Sequence, residues 1–321
     1  MRPKVSLLVP VFNRAELLVP CLNSALAQTM ADLEVVVVDG ASTDGTWDVC
    51  QRYAAADSRV RIFRDAVNTG PARGWWRCIE EAQGTYATFL WSDDVLLPTF
   101  LERTAAPLAD KDVAFVFAAA EVGPEPGSGT IRYVHPPGLM GSRDFIEGSL
   151  PMRDIYPVSP ACALFRLDDL RQNFMMELPT EPPIDLTATG AGIDLLFFLL
   201  TALRYPQIAC LSEPLAFFRA HPGSLSVDGR GGQVALGYAL TERWFAQTHG
   251  YGDICREVLA RHWLREMRTS KRLISPVAKA GQYGHVVTAP DLLASAAFQV
   301  LATVPRAIAA RIGHRRRRRR E

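Results

Sequence analysis

The sequence predicts an α/β fold, a mostly parallel sheet flanked by helices. Three observations carry that prediction. The runs "KVSLLVPVF" and "LEVVVVDG" are continuously apolar and β-rich, which suits strands buried on both faces of a parallel sheet. Stretches with helical spacing alternate with such runs, in "ELLVPCLNSALAQT", "STDGTWDVCQRYAA" and "ARGWWRCIEEAQG". The resulting β-α-β-α-β-α-β order, complete by Trp91, implies right-handed crossovers between parallel strands.

Each element has its own signal. The N-terminal "MRPKVSLLVPVFNR" places basic residues before an apolar run, as a signal peptide does. The run is only Val5–Phe12, contains Pro10 and lacks a small-x-small cleavage site, so it reads as a buried first strand. In the next segment Leu18, Leu22, Ala25 and Leu26 share one helical side. Pro20 is unfavourable inside a helix, so this helix is expected to begin near Val19. After the second strand, "STDGTWDVCQRYAA" opens a helix with a capping residue. "RVRIFRD" alternates as a third strand. The third helix is expected to end at Gly84 as a C-terminal glycine. "TYATFLW" is the fourth strand. Beyond Asp112 the rhythm changes: "VAFVFAAAEV" is a strand, "GPEPGSGT" a Gly/Pro loop, and mixed elements follow to about Asp228. Residues 235–321 read as helical, with Trp244, Phe245, Leu259 and Trp263 among the apolar positions.

Composition bounds the class. The chain has 321 residues, 48% hydrophobic and 21% charged, enough for a large core in one large domain or two smaller ones. Taking the six arginines of Arg315–Arg320 and Glu321 away from a formal charge of +1 leaves −4 over residues 1–314. The body is mildly acidic and the positive charge sits in a tail. Cysteines at 21, 50, 78, 162, 210 and 255 form no CxxC and no metal-type spacing with histidine, which fits a reducing, cytoplasmic location. No stretch reaches the roughly 18 apolar residues that a membrane-spanning helix needs.

In an open α/β sheet, ligands bind beyond the carboxyl ends of the strands. Four such ends are polar here: "PVFNR" (10–14), "DGASTDGT" (39–46), "DAVNTGPARGWWR" (65–77) and "WSDD" (91–94). Asp39 closes the run Val35–Val38. It fits either a strand-ending Asx turn or a carboxylate that accepts hydrogen bonds from a nucleobase or ribose. GxGxxG and GxxxxGK[ST] phosphate loops are both absent. Asp93 and Asp94 are adjacent at a strand end and point different ways. Two aspartates without histidine or cysteine suit Mg²⁺ or Mn²⁺, which take few protein carboxylates together with waters and substrate phosphates.

The blocks "VSLLVPVFNRAELLVPCLNSALAQT", "LEVVVVDGASTDGT" and "NTGPARGWWRCIEEAQGTYATFLWSDDVLLPTFLE", in this order and spacing, resemble family 2 glycosyltransferases over residues 4–102. The likeness continues more loosely through "SPACALFR" (159–166) to "EPLAFFRAHPGSLS" (213–226). It implies a GT-A fold and an inverting transfer from a nucleotide-diphospho-sugar. It also implies positions. Pro10, Phe12 and Asn13 match the first-strand motif near the nucleobase, and Asp39 the aspartate on the base. Asp44 lies in the loop matching "DGSTD". Arg73 and Arg77 match a basic segment that faces the diphosphate in some members. Asp93 and Asp94 match the DxD-type motif for metal and sugar diphosphate. Many members read "DxDD", whereas this chain has Trp91 in place of the first aspartate. Arg219, His221 and Ser224 match "YRxHxxSxS", a segment that closes over the diphosphate or metal.

An inverting transfer needs a general base for the acceptor hydroxyl. Asp194, at the start of "TGAGIDLLFFLLTAL", aligns with the family's "ED" motif, with Ile193 at the glutamate position. Asp194 equally fits a helix-start acid that favours the dipole, and Asp185 is its nearest rival as base. His135 has no support from the resemblance, and Trp75–Trp76 read as packing with one partly exposed ring. The expected division is a nucleotide-sugar-binding half (1–115), an acceptor half (116–228) and a helical extension with a polybasic tail (229–321). The acceptor is expected to be a glycan or lipid-linked. The Ala-rich helix pattern before the arginines suits an anionic membrane surface, hence peripheral association with the inner face of the cytoplasmic membrane; a solvated tail is the plainer reading. Nothing in the body resembles a nucleic-acid module. Two alternatives stay open: a nucleotidyltransferase, although "VPVFNRAELL" lacks the glycines of its first loop, and a non-catalytic sugar-nucleotide or glycan-binding module.

Overall fold

The structure, a computed structural model, describes residues 3–150, 155–224, 233–252 and 263–264. They fall into two units, Met1–Thr241 and the chain from Glu242 onward. The first unit holds a ten-stranded sheet in the order β3-β2-β1-β4-β9-β6-β12-β5, with β7 beside β6 and β8 beside β12. These strands are β1 (Val5–Val11), β2 (Leu33–Asp39), β3 (Val60–Arg64), β4 (Tyr86–Phe89), β5 (Val95–Leu96), β6 (Val113–Gly123), β7 (Thr130–Arg132), β8 (Gly138–Gly141), β9 (Ala163–Arg166) and β12 (Gln207–Arg219). A separate antiparallel pair joins β10 (Glu177–Leu178) and β11 (Ile184–Asp185). β1 runs parallel to β2 and β4, β2 to β3, and β12 to β6. β9 is antiparallel to both β4 and β6, and β5 to β12. The sheet is therefore largely parallel, as the apolar runs predict, and it continues unbroken past residue 115.

The helices are α1 (Ala15–Leu26), α2 (Thr46–Ala56), α3 (Pro71–Glu81), α4 (Phe100–Leu108), α5 (Ser142–Ser149), α6 (Leu167–Asn173), α7 (Ile193–Ala202) and α8 (Gln233–Thr248). Strand side chains alternate between faces. Leu7, Val9, Val35 and Val37 join Leu18, Cys21, Leu22, Val49 and Phe100 in one core, so α1, α2 and α4 cover that face. On the other face Phe115, Phe145, Phe165 and Phe198 pack ring to ring, bringing α5 and α7 onto β6 and β9. Each such fully buried side chain contributes about 1.5–3 kcal/mol. Cys21, Cys50, Cys78, Cys162 and Cys210 are all buried free thiols.

Three local expectations change. Helix α1 starts at Ala15, not near Val19, and carries Pro20 inside it. Its entry is tied down from outside: Arg14 N–H donates to Thr46 Oγ1 at 2.9 Å and Ala15 N–H to Asp44 Oδ2 at 3.2 Å. Leu18 and Leu22 are locked in the core, so tertiary anchoring outweighs the hydrogen bond lost at proline. Helix α2 has no side-chain cap at its N-cap residue, Gly45. Asp44 serves that end instead, accepting from Thr46 N–H at 3.1 Å. Finally, α3 ends at Glu81, ahead of Gly84. Gly84 is required by close approach: a Cβ there would lie 2.7 Å from the Ser6 backbone nitrogen.

Candidate functional site at the carboxyl edge of the sheet

Strand order β3-β2-β1-β4 places a topological switch between β1 and β4, where successive crossovers depart in opposite directions. A crevice opens at such a point beyond the strand ends. Its walls are the loop after β1 and the turn after β4.

The loop after β1 holds Pro10, Phe12 and Asn13. Phe12 is 44% exposed, unlike the strand before it. Asn13 takes a positive φ of 51°. Its N–H donates to Ser42 Oγ at 2.8 Å and its Oδ1 accepts from Thr43 N–H at 2.9 Å, so the ends of β1 and β2 are sewn together. Asp39, at the end of β2, is 0% exposed. It accepts from Ser42 N–H and pairs with Arg64 Nε at 3.2 Å. Asp44 spends its two oxygens on Ala15 and Thr46, bracing α1 against α2.

The third edge segment enters α3. Pro71 occupies its first turn, where a missing N–H costs nothing. Gly74 approaches Pro10, with a Cβ there 3.8 Å from the proline ring. Arg77 pairs with Asp65, while Arg73 is exposed and acts on Asp185.

After β4 the chain turns tightly, with Asp94 N–H donating to the Trp91 carbonyl at 2.9 Å. Asp94 is 5% exposed. Burial first, then the charge of Asp93, pushes its carboxyl well above the usual range. Residues far along the chain converge on this turn. Arg219 N–H donates to Asp94 Oδ1 at 2.9 Å and its Nε to the Asp93 carbonyl at 3.3 Å. Its Nη1 meets Glu125 Oε2 at 3.0 Å. His221 Nε2 lies 3.0 Å from Asp93 Oδ2. Arg14 Nη2 donates to the Gly223 carbonyl at 2.8 Å. The 219–224 segment is thus tied to both walls of the crevice, and Ser224 Oγ is buried within it with no hydrogen-bond partner among the described residues.

Trp91 is an aromatic packing residue. Its ring centroid lies 4.8 Å from that of Trp75 and 5.0 Å from that of Phe89, and its Nε1–H donates to Ser159 Oγ at 2.9 Å. Trp76 packs separately on Phe174. Trp75 links this cluster to the turn before α7, since a Cβ on Gly190 would lie 2.4 Å from its ring. That turn leads into Asp194, which is 8% exposed. Asp194 Oδ1 accepts from Gly192 N–H and Leu195 N–H, each at 2.9 Å, and Oδ2 accepts from the Tyr238 hydroxyl. Burial pushes its carboxyl up to about 6, against those hydrogen bonds. Asp185 behaves in the opposite way: it accepts from Thr187 N–H and is held below the usual range, chiefly by Thr187. His135 is buried against Phe117 and Tyr156, and burial lowers its pKa.

Arg14, Ser42 and Tyr238 are site neighbours that sequence reasoning did not single out, whereas Trp75 packs as expected. Arg14 and Ser42 lie within the quoted strand-end motifs, so spacing to Asn13 and Asp39 held some signal for them. Tyr238 had none. Among the described residues no group of three or more His, Cys, Asp or Glu is placed to hold a metal. No described helix is long and apolar enough to cross a membrane.

Residues 6–174 match the family described as glycosyl transferase family 2. A Bacillus subtilis glycosyltransferase, TuaG, whose name assigns it provisionally to teichuronic acid biosynthesis, is 29% identical over 149 residues, 46% of this chain and 59% of TuaG. The Campylobacter jejuni GalNAc(5)-diNAcBac-PP-undecaprenol beta-1,3-glucosyltransferase is 36% identical over 116 residues, 36% of this chain and 37% of that protein. The chain thus spans less than two thirds of the length of these relatives. The crystal structure of Staphylococcus aureus TarS 1–349 in complex with UDP-GlcNAc superposes with a TM-score of 0.59 at 17% identity, covering 93% of this chain and 92% of that one. At that identity the likeness is one of fold, and it is the GT-A arrangement the sequence predicts. Matched by the family model over more than half its length, the chain belongs to glycosyl transferase family 2.

Proposed function

We propose that the chain is an inverting glycosyltransferase. It moves a sugar from a nucleotide-diphospho-sugar to the hydroxyl of a glycan or lipid-linked acceptor, in the assembly of surface polysaccharide or glycolipid. One observation carries this reading: the loop after β1, the Asp93–Asp94 turn after β4 and the Arg219–His221 segment converge at the β1/β4 switch. Asp93–Asp94 lie on one wall, and Asp194 lies across the Trp91–Trp75 cluster, raised to about 6. The relatives named for teichuronic acid and for an undecaprenol-linked glycan support the acceptor class.

The roles are those the family resemblance implies, and the placement of the residues supports them. Pro10, exposed Phe12, Asn13 and buried Asp39 receive the base and ribose, with Asp44 holding their loop. Arg73, Arg77, Arg219 and His221 serve the diphosphate. Asp93 and Asp94 suit Mg²⁺ or Mn²⁺, since two hard carboxylates leave room for water and phosphate oxygens. The unfavourable ionisation of Asp94 fits a neighbouring cation, because burial and Asp93 both oppose a second bare charge. When bound, the cation neutralises charge on the departing diphosphate. Asp194 takes the acceptor proton, and the acceptor oxygen attacks the anomeric carbon opposite the nucleotide. The bond from that carbon to the diphosphate oxygen breaks, and its electron pair leaves with the nucleoside diphosphate. A base near 6 is ionised at neutral pH yet still accepts a proton, which Asp185, held low, does poorly.

Calorimetric titration with UDP, GDP, dTDP and CDP, with and without Mn²⁺, tests the donor half. One base class binds in preference, more tightly with Mn²⁺, and Asp39→Asn weakens it about 10- to 100-fold. Failure of all four to bind contradicts the proposal.

A further inference from the structure

We infer that Tyr238 is a positioning residue that holds the Asp194 carboxylate in its working orientation, so that the first turns of α8 belong to the catalytic centre. This rests on the reading of Asp194 as the base.

A carboxylate on a helix-entry turn can rotate about its Cβ–Cγ bond. Asp194 is fixed at both oxygens. The N–H groups of Gly192 and Leu195 converge on Oδ1, each at 2.9 Å, and the Tyr238 hydroxyl donates to Oδ2. An ionised carboxylate offers about four lone-pair sites. Oδ2 therefore keeps one for an acceptor hydroxyl while Tyr238 fills the other.

The backbone is shaped for this contact. Gly192 has a φ of +102°, and a Cβ there would come within 2.1 Å of Thr241 Oγ1. A Cβ on Gly237 would come 2.6 Å from the Ala191 carbonyl oxygen. Two glycines thus let α8 lie directly on the Asp194 turn. Gly190, with a φ of +72°, lies against the Trp75 ring on α3. The turn is clamped between α3 and α8, and α8 supplies the side chain that reaches the carboxylate.

The groups acting on Asp194 are the Tyr238 hydroxyl from α8 and the backbone N–H groups of its own turn. The neighbouring side chains Trp75, from α3, and Thr241, from α8, add no charge. Burial favours the protonated acid, and Tyr238 opposes it. Removing the hydroxyl lets the carboxyl both swing and hold its proton to higher pH.

The test compares full-length wild type with Tyr238→Phe, Gly237→Ala and Asp194→Asn. Donor is supplied as the nucleotide sugar whose base binds in the titration above. Tyr238→Phe is expected to lower kcat about 10- to 100-fold at neutral pH, leave donor KM within about twofold, and move the acid limb of the pH profile upward. Gly237→Ala, which keeps the hydroxyl but pushes α8 off the turn, is expected to reproduce the loss of kcat. Wild-type kcat and pH profile in Tyr238→Phe, with Asp194→Asn inactive, overturn the role of Tyr238 and leave the base reading standing. Full turnover by Asp194→Asn removes the base reading itself. Loss of nucleotide binding together with turnover in Tyr238→Phe also overturns the inference, because it marks a structural role.

Discussion

At the scale of single residues, Asp194 links chemistry to stability. Its carboxyl is displaced from 3.8 to about 6 by burial, so the folded state prefers the protonated form. A raised pKa contributes stability that is fully present below the unfolded value and lost as pH rises through the folded one. The loss amounts to roughly 3 kcal/mol between about pH 4 and pH 8. Asp194→Asn cannot ionise, and its side-chain oxygen keeps both backbone N–H partners. It is therefore expected to match wild type near pH 4 and to exceed it by that order at pH 8, while losing transfer. Urea unfolding across pH checks this, and a difference independent of pH contradicts it. Residues differ in how far the sequence exposes them. Asp39 is legible because a carboxylate directly after an apolar run marks a strand end, and Asp93 because it follows such a run by one serine. Trp91 reads as a departure from a carboxylate pattern until Trp75 and Phe89 show what it packs on. Tyr238 is illegible, because its partner lies 44 residues away and nothing in the local spacing of α8 marks the hydroxyl.

At the scale of elements, the first four strands and three helices were legible because their patterns are local. Their boundaries were less so. The start of α1 is decided by Thr46 and Asp44, some 30 residues onward, against the local effect of Pro20. Gly84 looks like a helix end but answers to Ser6 across the sheet. Strand β9 carries only "ALFR", too short to announce that it is inserted antiparallel between β4 and β6. The arginine tail and the Ala-rich segment before it lie outside the described residues. Their proposed role is peripheral attachment to anionic membranes. Each arginine near such a surface contributes about 1 kcal/mol, so six should give salt-sensitive binding. Full-length protein is expected to co-sediment with phosphatidylglycerol-containing vesicles at low salt, and a 1–289 truncation to remain in the supernatant. Equal, negligible binding by both contradicts the role.

At the scale of the whole molecule, one sheet gathers residues from β1 through β12 onto a single edge. The positions of Asp93, Asp94, Arg219 and His221 were each suggested by motif. Their convergence depends on β12 running beside both β6 and β5, which no local pattern states. The turn before Asp194 is linked to that edge through Gly190, Trp75 and Trp91. Direct displacement across this crevice, with base and leaving group on opposite sides of the sugar, is the central claim. The measurement that tests it most directly is the anomeric configuration of the product, read by NMR from an α-linked sugar nucleotide whose base binds. A β-linked product is predicted, and an α-linked product would contradict the account.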